Sequence, residues 1–247
     1  MTIEILEFIL LGSGVGFLSG FFGIGGGTIL VPALLYMGFV TKEAIGISVV
    51  QMVFSSIYGS YLNNKKGSLD IAMISTISIG GFFGAQIGGI VTSSMNDKTL
   101  EFLFLIFVIF AIIRMFFKVP HNHPQKNVNK IILFMLGVVV GIIGISIGVG
   151  GSIVLVPVLV GFMHVEFKKA ISAGLFFVMF SSISGLISHS MSGNIDFKHG
   201  ILIGGASLVG VHFGVILHGK AESGFQKKLL ISFYLIIVAY LAKRLFF

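Results

Sequence analysis

Two glycine-rich segments hold the residues of this sequence that are best suited to bind a ligand. The first runs from Gly23 to Thr28 and the second from Gly148 to Ser152, and an apolar stretch typical of a short helix follows each of them (28–39 and 152–163). A helix N-terminus presents unpaired N–H groups and the positive end of the helix dipole, which attract an anion without any charged side chain. The predicted anion-binding residues are Gly23, Gly25, Gly26, Gly27, Thr28, Gly148, Gly150, Gly151 and Ser152.

Polar side chains within the apolar segments form a second set of candidates. Two serine pairs are predicted to flank the bound anion, namely Ser55, Ser56, Ser181 and Ser182. The alternative is that these hydroxyls only bond their own backbone or a neighbouring helix. His189 and His212 are candidates for a proton relay, because imidazole titrates near neutral pH and its burial in a membrane is costly. Gln51 and Gln86 also lie within apolar segments, and Gln86 aligns with His212 in the repeat described below.

Several other kinds of chemistry find no support in the sequence. It has no cysteine, which excludes disulfides, iron–sulfur clusters and thiol catalysis, and it has no phosphate loop of the GxxxxGK[ST] form. His121 and His123 form a bare His-x-His, which is weak support for a metal site and more typical of a solvated loop. We therefore expect no enzyme activity, no metal and no cofactor.

The composition is that of a membrane protein. Hydrophobic residues make up 55% of the 247 residues and charged ones 10%, and the mean hydropathy is +1.07. Most of the long apolar runs can cross about 30 Å of hydrocarbon as helices. The net charge of +7 comes from basic residues in short loops, which is typical of orientation signals rather than of nucleic-acid binding.

The chain is an internal repeat. Segment 12–38 matches segment 137–163, and after one inserted residue the match continues from 44–59 onto 170–185 and from 67–88 onto 193–214. In the last of these matches, Asp70 falls on Asp196. We predict a first repeat at 1–118, a linker at 119–130 and a second repeat at 131–247.

Each half has the same predicted order of elements. An apolar segment (8–22; 131–147) leads into a glycine cluster and then into the short stretch, which reaches only about 18 Å as a helix, roughly half a membrane. Three longer helices follow, predicted at 44–62, 71–94 and 99–118 in the first half and at 170–190, 198–218 and 226–246 in the second. The predicted fold class is an all-α polytopic membrane protein with two homologous repeats, each a broken-helix hairpin plus three transmembrane helices.

Positive charge in the loops indicates how the halves are oriented. If each glycine cluster lies near the membrane midplane, both arms of its hairpin return to one face, and the odd number of remaining crossings inverts the second half. That topology places most basic loop residues, Lys65 and Lys228 among them, on one face. By the positive-inside rule this face is cytoplasmic, so both termini are predicted to lie outside the cytoplasm.

The pattern GxxSGFFGIGGGxxxVPxL at 16–34, with its weaker echo GxxGxxxGVGGSxxxVPVL at 141–159, resembles the sulfite exporter TauE/SafE family. The resemblance covers essentially the whole chain. It implies an inner-membrane permease for sulfite, thiosulfate, sulfonates or other sulfur-containing organic anions. The second copy has Ile145 and Ser152 where the first has Gly20 and Gly27, which suggests that one half binds and the other mainly supports.

Three functions remain open at this point. The first is a secondary transporter of a small sulfur-containing anion, with alternating access around a midplane site formed by the two broken helices. The second is an anion channel that uses the same helix dipoles. The third is a membrane scaffold whose glycines serve only helix packing. Proton coupling is plausible for the transporter, whereas the cargo, the direction of transport and the oligomeric state are not determined by the sequence.

Overall fold

The computed structural model describes residues 2–67, 71–116, 128–193 and 195–246. Every regular element in these ranges is an α-helix, as predicted. In chain order the helices are α1 (Thr2–Phe22), α2 (Gly27–Tyr36), α3 (Thr41–Lys65), α4 (Ile71–Ser94), α5 (Asp97–Phe116), α6 (Lys130–Ser146), α7 (Ser152–Gly161), α8 (Phe167–Met191), α9 (Phe197–Lys220) and α10 (Ser223–Phe246). Most of the linker, its two histidines and Asp70 lie outside the described residues, so the repeat boundaries at 118 and 130 stay predictions.

The helices agree with the predicted segments but differ in length. Helix α1 begins at Thr2 rather than at residue 8 and has 21 residues. Helices α2 and α7 have 10 residues each, about 15 Å, and both are shorter than predicted. Helix α2 ends early because Gly38, at a φ of 94°, lets the chain turn. There the N–H groups of Phe39 and Gly38 bond the carbonyls of Leu34 and Leu35.

The lengths and surface of the helices are those of a multi-pass membrane protein. Within the described ranges seven helices are long and apolar enough to cross a membrane, and α2, α6 and α7 are shorter apolar helices. Large apolar side chains such as Phe83, Phe213 and Ile236 are exposed on the outside of the bundle. A soluble protein rarely shows apolar surface on this scale, whereas lipid covers it in a membrane.

Each half packs its first helix against the fourth helix of the other half. Helix α1 lies along α9 in the same direction, since a Cβ at Gly12 would meet the Ile203 carbonyl at 2.5 Å and one at Gly20 the Val211 carbonyl at 2.7 Å. The equivalent pair, α6 and α4, packs in the same way, with Gly88 against Ile142. Glycines four residues apart let two membrane helices approach closely. At these positions within the helices, glycine therefore serves close helix packing, the role that the scaffold alternative gives to glycine.

Helices α3 and α8 lie at the centre, and α5 packs on α10. The start of α5 meets the end of α10, where Arg244 Nε bonds Glu101 at 3.1 Å, so these two equivalent helices run antiparallel. In contrast, α3 runs parallel to α9, because Gly200 packs on Val50 and Gly204 on Phe54. Antiparallel equivalent helices are what an inverted repeat requires. The inversion in the membrane stays a prediction, and this packing supports it.

Candidate functional site

Both glycine clusters are the turns of a broken helix. Residues 23–26 separate α1 from α2, and residues 147–151 separate α6 from α7. We call these two segments the linkers from here on; they are distinct from the predicted linker between the repeats at 119–130. The φ angles of Gly26 and Gly151, which directly precede α2 and α7, are 84° and 90°. A side chain is strained at such angles, so the position requires glycine.

Contacts between the halves hold the linkers against the middle of the long central helices. A Cβ at Gly25 would lie 2.7 Å from Val178 Cγ1, and one at Gly150 would lie 2.8 Å from Met52 Sδ. Met52 and Val178 lie near the middle of α3 and α8, the two 25-residue helices. Each linker therefore packs against the centre of the long helix of the opposite half.

The two linkers also meet each other. A side chain at Gly27 would collide with the carbonyl oxygen of Gly148. The hydroxyl of Ser48 donates to the same oxygen at 2.7 Å, which anchors the second linker to α3 of the first half. Residues 21–28 and 144–157 are buried throughout. The structure thus brings both predicted glycine segments together in one enclosed region.

The four predicted serines lie beside the linkers, but three of them already have backbone partners, since Ser182 Oγ donates to the Met179 carbonyl at 3.4 Å. Ser55 Oγ donates to the Gly25 carbonyl at 3.3 Å, and Ser181 Oγ donates to the Gly150 carbonyl at 2.8 Å. These are equivalent bonds in the two halves, and each ties a linker to α3 or α8. The hydroxyls of Ser56 and Ser182 lie 3.4 Å apart. The serines therefore shape the linkers, and their contact with an anion stays a prediction.

Thr28 and Ser152 differ from those serines because their buried hydroxyls have no partner. Both side chains are fully buried, and neither oxygen makes a hydrogen bond to any described residue. Thr28 is the second residue of α2, whereas Ser152 is the first residue of α7. A buried hydroxyl without a partner costs about 1–3 kcal/mol. Such groups at two helix N-termini point to a ligand or to water.

Gln51, which was not among the predicted binding residues, faces the start of α2. A Cβ at Gly26 would lie 2.5 Å from Gln51 Oε1 and 2.9 Å from Nε2. The amide is fully buried, and neither its oxygen nor its nitrogen has a partner among the described residues. Phe177 occupies the equivalent position in the second half and places its ring against Gly151. The sequence signal that could have pointed to Gln51 is that the equivalent position of the other repeat holds an aromatic residue, Phe177.

The two candidate relay histidines differ in their bonding. His212 Nδ1 pairs with the Tyr58 hydroxyl at 2.9 Å, which joins α9 to α3. The equivalent contact in the other half is Gln86 Nε2 to the Ser184 carbonyl at 3.3 Å. His189 is fully buried, and neither of its ring nitrogens has a hydrogen bond of good geometry to the described residues. Neither histidine is seen to contact Thr28 or Gln51, so a relay role stays a prediction.

The buried carboxylate of Glu101 lies at a helix end rather than at the linkers. Glu101 accepts from Thr41 Oγ1 at 2.7 Å and from Arg244 Nε, and Arg244 Nη1 also donates to the Leu35 carbonyl at 3.2 Å. This cluster joins α5, α10 and α3 to the C-terminal end of α2. Among the described residues no group of His, Asp and Glu is suited to hold a metal ion. The groups at the linkers are therefore neutral dipoles, which suit a weakly held anion.

The profile of the sulfite exporter TauE/SafE family matches residues 8–241, which is nearly the whole chain. This chain belongs to the sulfite exporter TauE/SafE family. The family resemblance inferred from the doubled glycine–proline pattern is thereby confirmed, and with it the assignment as a membrane transporter.

Named relatives agree with this membership. YunE of Bacillus subtilis, named a probable membrane transporter protein, is 23% identical over 242 residues, which cover 87% of this chain and 89% of YunE. A protein of Haemophilus influenzae with the same description is 25% identical, covering 76% and 75% of the two chains. One from Methanocaldococcus jannaschii is 31% identical, covering 73% and 70%. No solved structure matches the chain.

Proposed function

We propose that this member of the family is an inner-membrane secondary transporter for a small sulfur-containing anion such as sulfite, thiosulfate or an organosulfonate. The anion binds in the region where the two linkers meet, beside the N-termini of the two short helices. The observation that carries this proposal is the pair of fully buried, unpartnered hydroxyls of Thr28 and Ser152, each in the first turn of a short helix.

Enclosure of the linkers supports alternating access. Because residues 21–28 and 144–157 are buried, an ion reaches this region only after helices of the two halves separate. The contacts that must change are those between a linker and the opposite long helix, such as Gly25 with Val178 and Gly150 with Met52. Rocking of one repeat against the other opens the region first to one side of the membrane and then to the other.

Antiparallel packing of equivalent helices supports the inverted topology. In an inverted repeat, the two halves exchange conformations between the inward-open and outward-open states. The same two conformations of a half therefore open the site to either side of the membrane. With three crossings and one hairpin per half, both termini lie on the same side, outside the cytoplasm.

Uptake into proteoliposomes tests the function. The purified protein is reconstituted and labelled sulfite, thiosulfate and taurine are compared with chloride, each with and without a pH gradient. Saturable flux of one sulfur compound, with counterflow, supports a transporter, and acceleration by the gradient adds proton coupling. Unsaturable flux of many anions would indicate a channel instead.

A pair of conservative variants separates transport from a scaffold role. Thr28→Ala and Ser152→Ala each remove one hydroxyl that has no partner among the described residues, without adding bulk, so a transporter should lose substrate affinity in at least one of the two variants while its folding is preserved. A scaffold predicts that neither variant changes anything measurable, whereas Gly25→Leu, which would collide with Val178, harms folding alone.

A further inference from the structure

The two halves differ at one position that faces the proposed site. Gln51 of α3 and Phe177 of α8 are equivalent by the internal repeat, and each lies against the glycine that precedes a short helix. A Cβ at Gly26 would lie 2.5 Å from Gln51 Oε1, and a Cβ at Gly151 would lie 2.8 Å from Phe177 Cε1. The start of α2 therefore faces an amide, whereas the start of α7 faces an aromatic ring.

The amide of Gln51 has no partner among the residues that the structure describes. Its side chain is fully buried, and neither Oε1 nor Nε2 bonds any described residue. An unpartnered amide in an apolar interior costs about 1–3 kcal/mol. A buried amide that finds no partner in the chain is therefore expected to bond a ligand or a water molecule. The hydroxyl of Thr28, in the first turn of the same helix, is unpartnered as well.

We propose that the anion is bound at α2 alone, with Gln51 Nε2, the Thr28 hydroxyl and the N–H groups of Gly27 and Thr28 as donors. The next two N–H groups of α2, those of Ile29 and Leu30, already bond the Gly26 carbonyl. Phe177 covers the equivalent end of α7, which then serves as packing for the linkers. This inference rests on the proposed function and specifies which of the two helix ends holds the substrate.

The same groups select the charge of the ligand. An amide, a hydroxyl and backbone N–H groups are neutral, and no cationic side chain contributes a donor. In a site of neutral dipoles the cost of removing an ion from water rises with the square of its charge. The site therefore prefers monovalent oxyanions, such as hydrogensulfite or a sulfonate, over divalent ones of the same size, such as sulfate.

Binding to the purified full-length protein tests both statements. The probes are methanesulfonate, which is monovalent, and sulfate, which is divalent, both measured at pH 7 by calorimetry and by the shift in unfolding temperature. Wild-type protein should bind methanesulfonate and should bind sulfate at least about 10-fold more weakly. Equal affinity for the two anions would overturn the charge preference.

Gln51→Leu keeps the size of the side chain and removes its donor. Loss of a hydrogen bond to a charged group predicts at least about a 10-fold loss in methanesulfonate affinity. The unfolding temperature without anion should stay the same or rise, because an unpartnered buried amide is removed. Wild-type affinity in this variant would overturn the role of Gln51, and so would a lower unfolding temperature with anion stabilisation intact.

Phe177→Leu is the matched variant in the second half and should keep the wild-type affinity for methanesulfonate. A loss equal to that of Gln51→Leu would show that both helix ends hold the anion and would overturn the assignment to α2. Flux separates this inference from the proposed function. If wild-type protein transports none of the sulfur anions, the function fails; if it transports them and Gln51→Leu does so equally well, only this inference fails.

Discussion

The hydroxyl oxygens of Ser56 and Ser182 lie 3.4 Å apart, although the two serines are equivalent residues of different halves. In an inverted repeat, equivalent atoms of the two halves can meet only close to the twofold axis that relates them. The predicted axis would therefore pass between α3 and α8, beside the linkers that both helices support. The proposed rocking of one half against the other predicts that α3 and α8 move relative to each other.

A disulfide across this axis should block transport. The chain has no cysteine, so Ser56→Cys with Ser182→Cys introduces a single pair, and small side-chain rotations can bring the two sulfurs within bonding distance. We expect the oxidised double variant to lose flux in proteoliposomes and to regain it with reductant. Each single variant controls for loss of a hydroxyl. Equal flux in both redox states would contradict motion between α3 and α8.

Bulk at the glycines before the short helices should abolish flux. Gly26→Val and Gly151→Val place a branched side chain at φ angles of 84° and 90°, against Gln51 and Phe177 respectively. Gly14→Val and Gly205→Val are the controls, because a Cβ at either position meets nothing within 4 Å. Flux should survive in the controls only. Wild-type flux in both linker variants would contradict a site at the linkers.

Arg244 should stabilise the fold through Glu101. Glu101 is nearly buried, and Arg244→Leu would remove two of the hydrogen bonds to its carboxylate as well as the bond to Leu35. We expect a loss of about 1.5–3 kcal/mol in the free energy of unfolding, the range for hydrogen bonds to charged groups. Chemical unfolding in detergent measures it.

Two further variants identify the source of that loss. Lys243→Leu changes an exposed neighbour of the same charge and should have little effect. Adding Glu101→Gln to Arg244→Leu should recover part of the stability, because no buried charge is then left uncompensated. If the double variant is as unstable as the sum of the two single ones, the ion pair is not the cause.

Asp196 should make stability depend on pH at the acid end. Burial alone would raise the pKa of its carboxyl, but hydrogen bonds from the side chain and backbone N–H of His199 outweigh this effect and lower the pKa. A lowered folded-state pKa gives stability that is present above the unfolded value, about 3.9, and lost as the pH falls through the folded value.

The variant Asp196→Asn isolates this contribution, since asparagine still caps the N-terminus of α9. Unfolding temperatures between about pH 3 and pH 7 should converge as the wild-type carboxyl becomes protonated below its usual pKa. Curves that stay parallel over the whole range would show that the Asp196–His199 contact adds no pH-dependent stability.

His212→Gln should leave the pH profile of transport unchanged. The residue bonds Tyr58, and its equivalent Gln86 already joins the other pair of helices through an amide, so glutamine can take over the structural role. Flux measured across about pH 5 to 8 covers the range in which histidine titrates. His189→Gln is the companion variant. A flattened profile in either one would assign that histidine to a proton relay.

The sequence by itself determined the local features of this protein. Its apolar runs predicted the membrane helices, because only a helix satisfies its own backbone within lipid. Its glycine clusters predicted both breaks, since side chains are strained at the φ angles of Gly26 and Gly151. The internal repeat predicted that the two breaks are equivalent, and the doubled pattern identified the family. All of these depend on residues close together in the chain.

Only the tertiary structure decided which residues meet across the halves. The pairing of α1 with α9 and of α6 with α4 joins segments far apart in sequence, and no local pattern encodes the partner of a membrane helix. Packing within each half satisfies Ser55 and Ser181 through the Gly25 and Gly150 carbonyls, yet the fold leaves Gln51 without a partner among the described residues. Whether a buried polar side chain finds a hydrogen-bond partner depends on which distant residues pack against it. The sequence alone could therefore name the candidate polar residues but could not show which of them lack a partner.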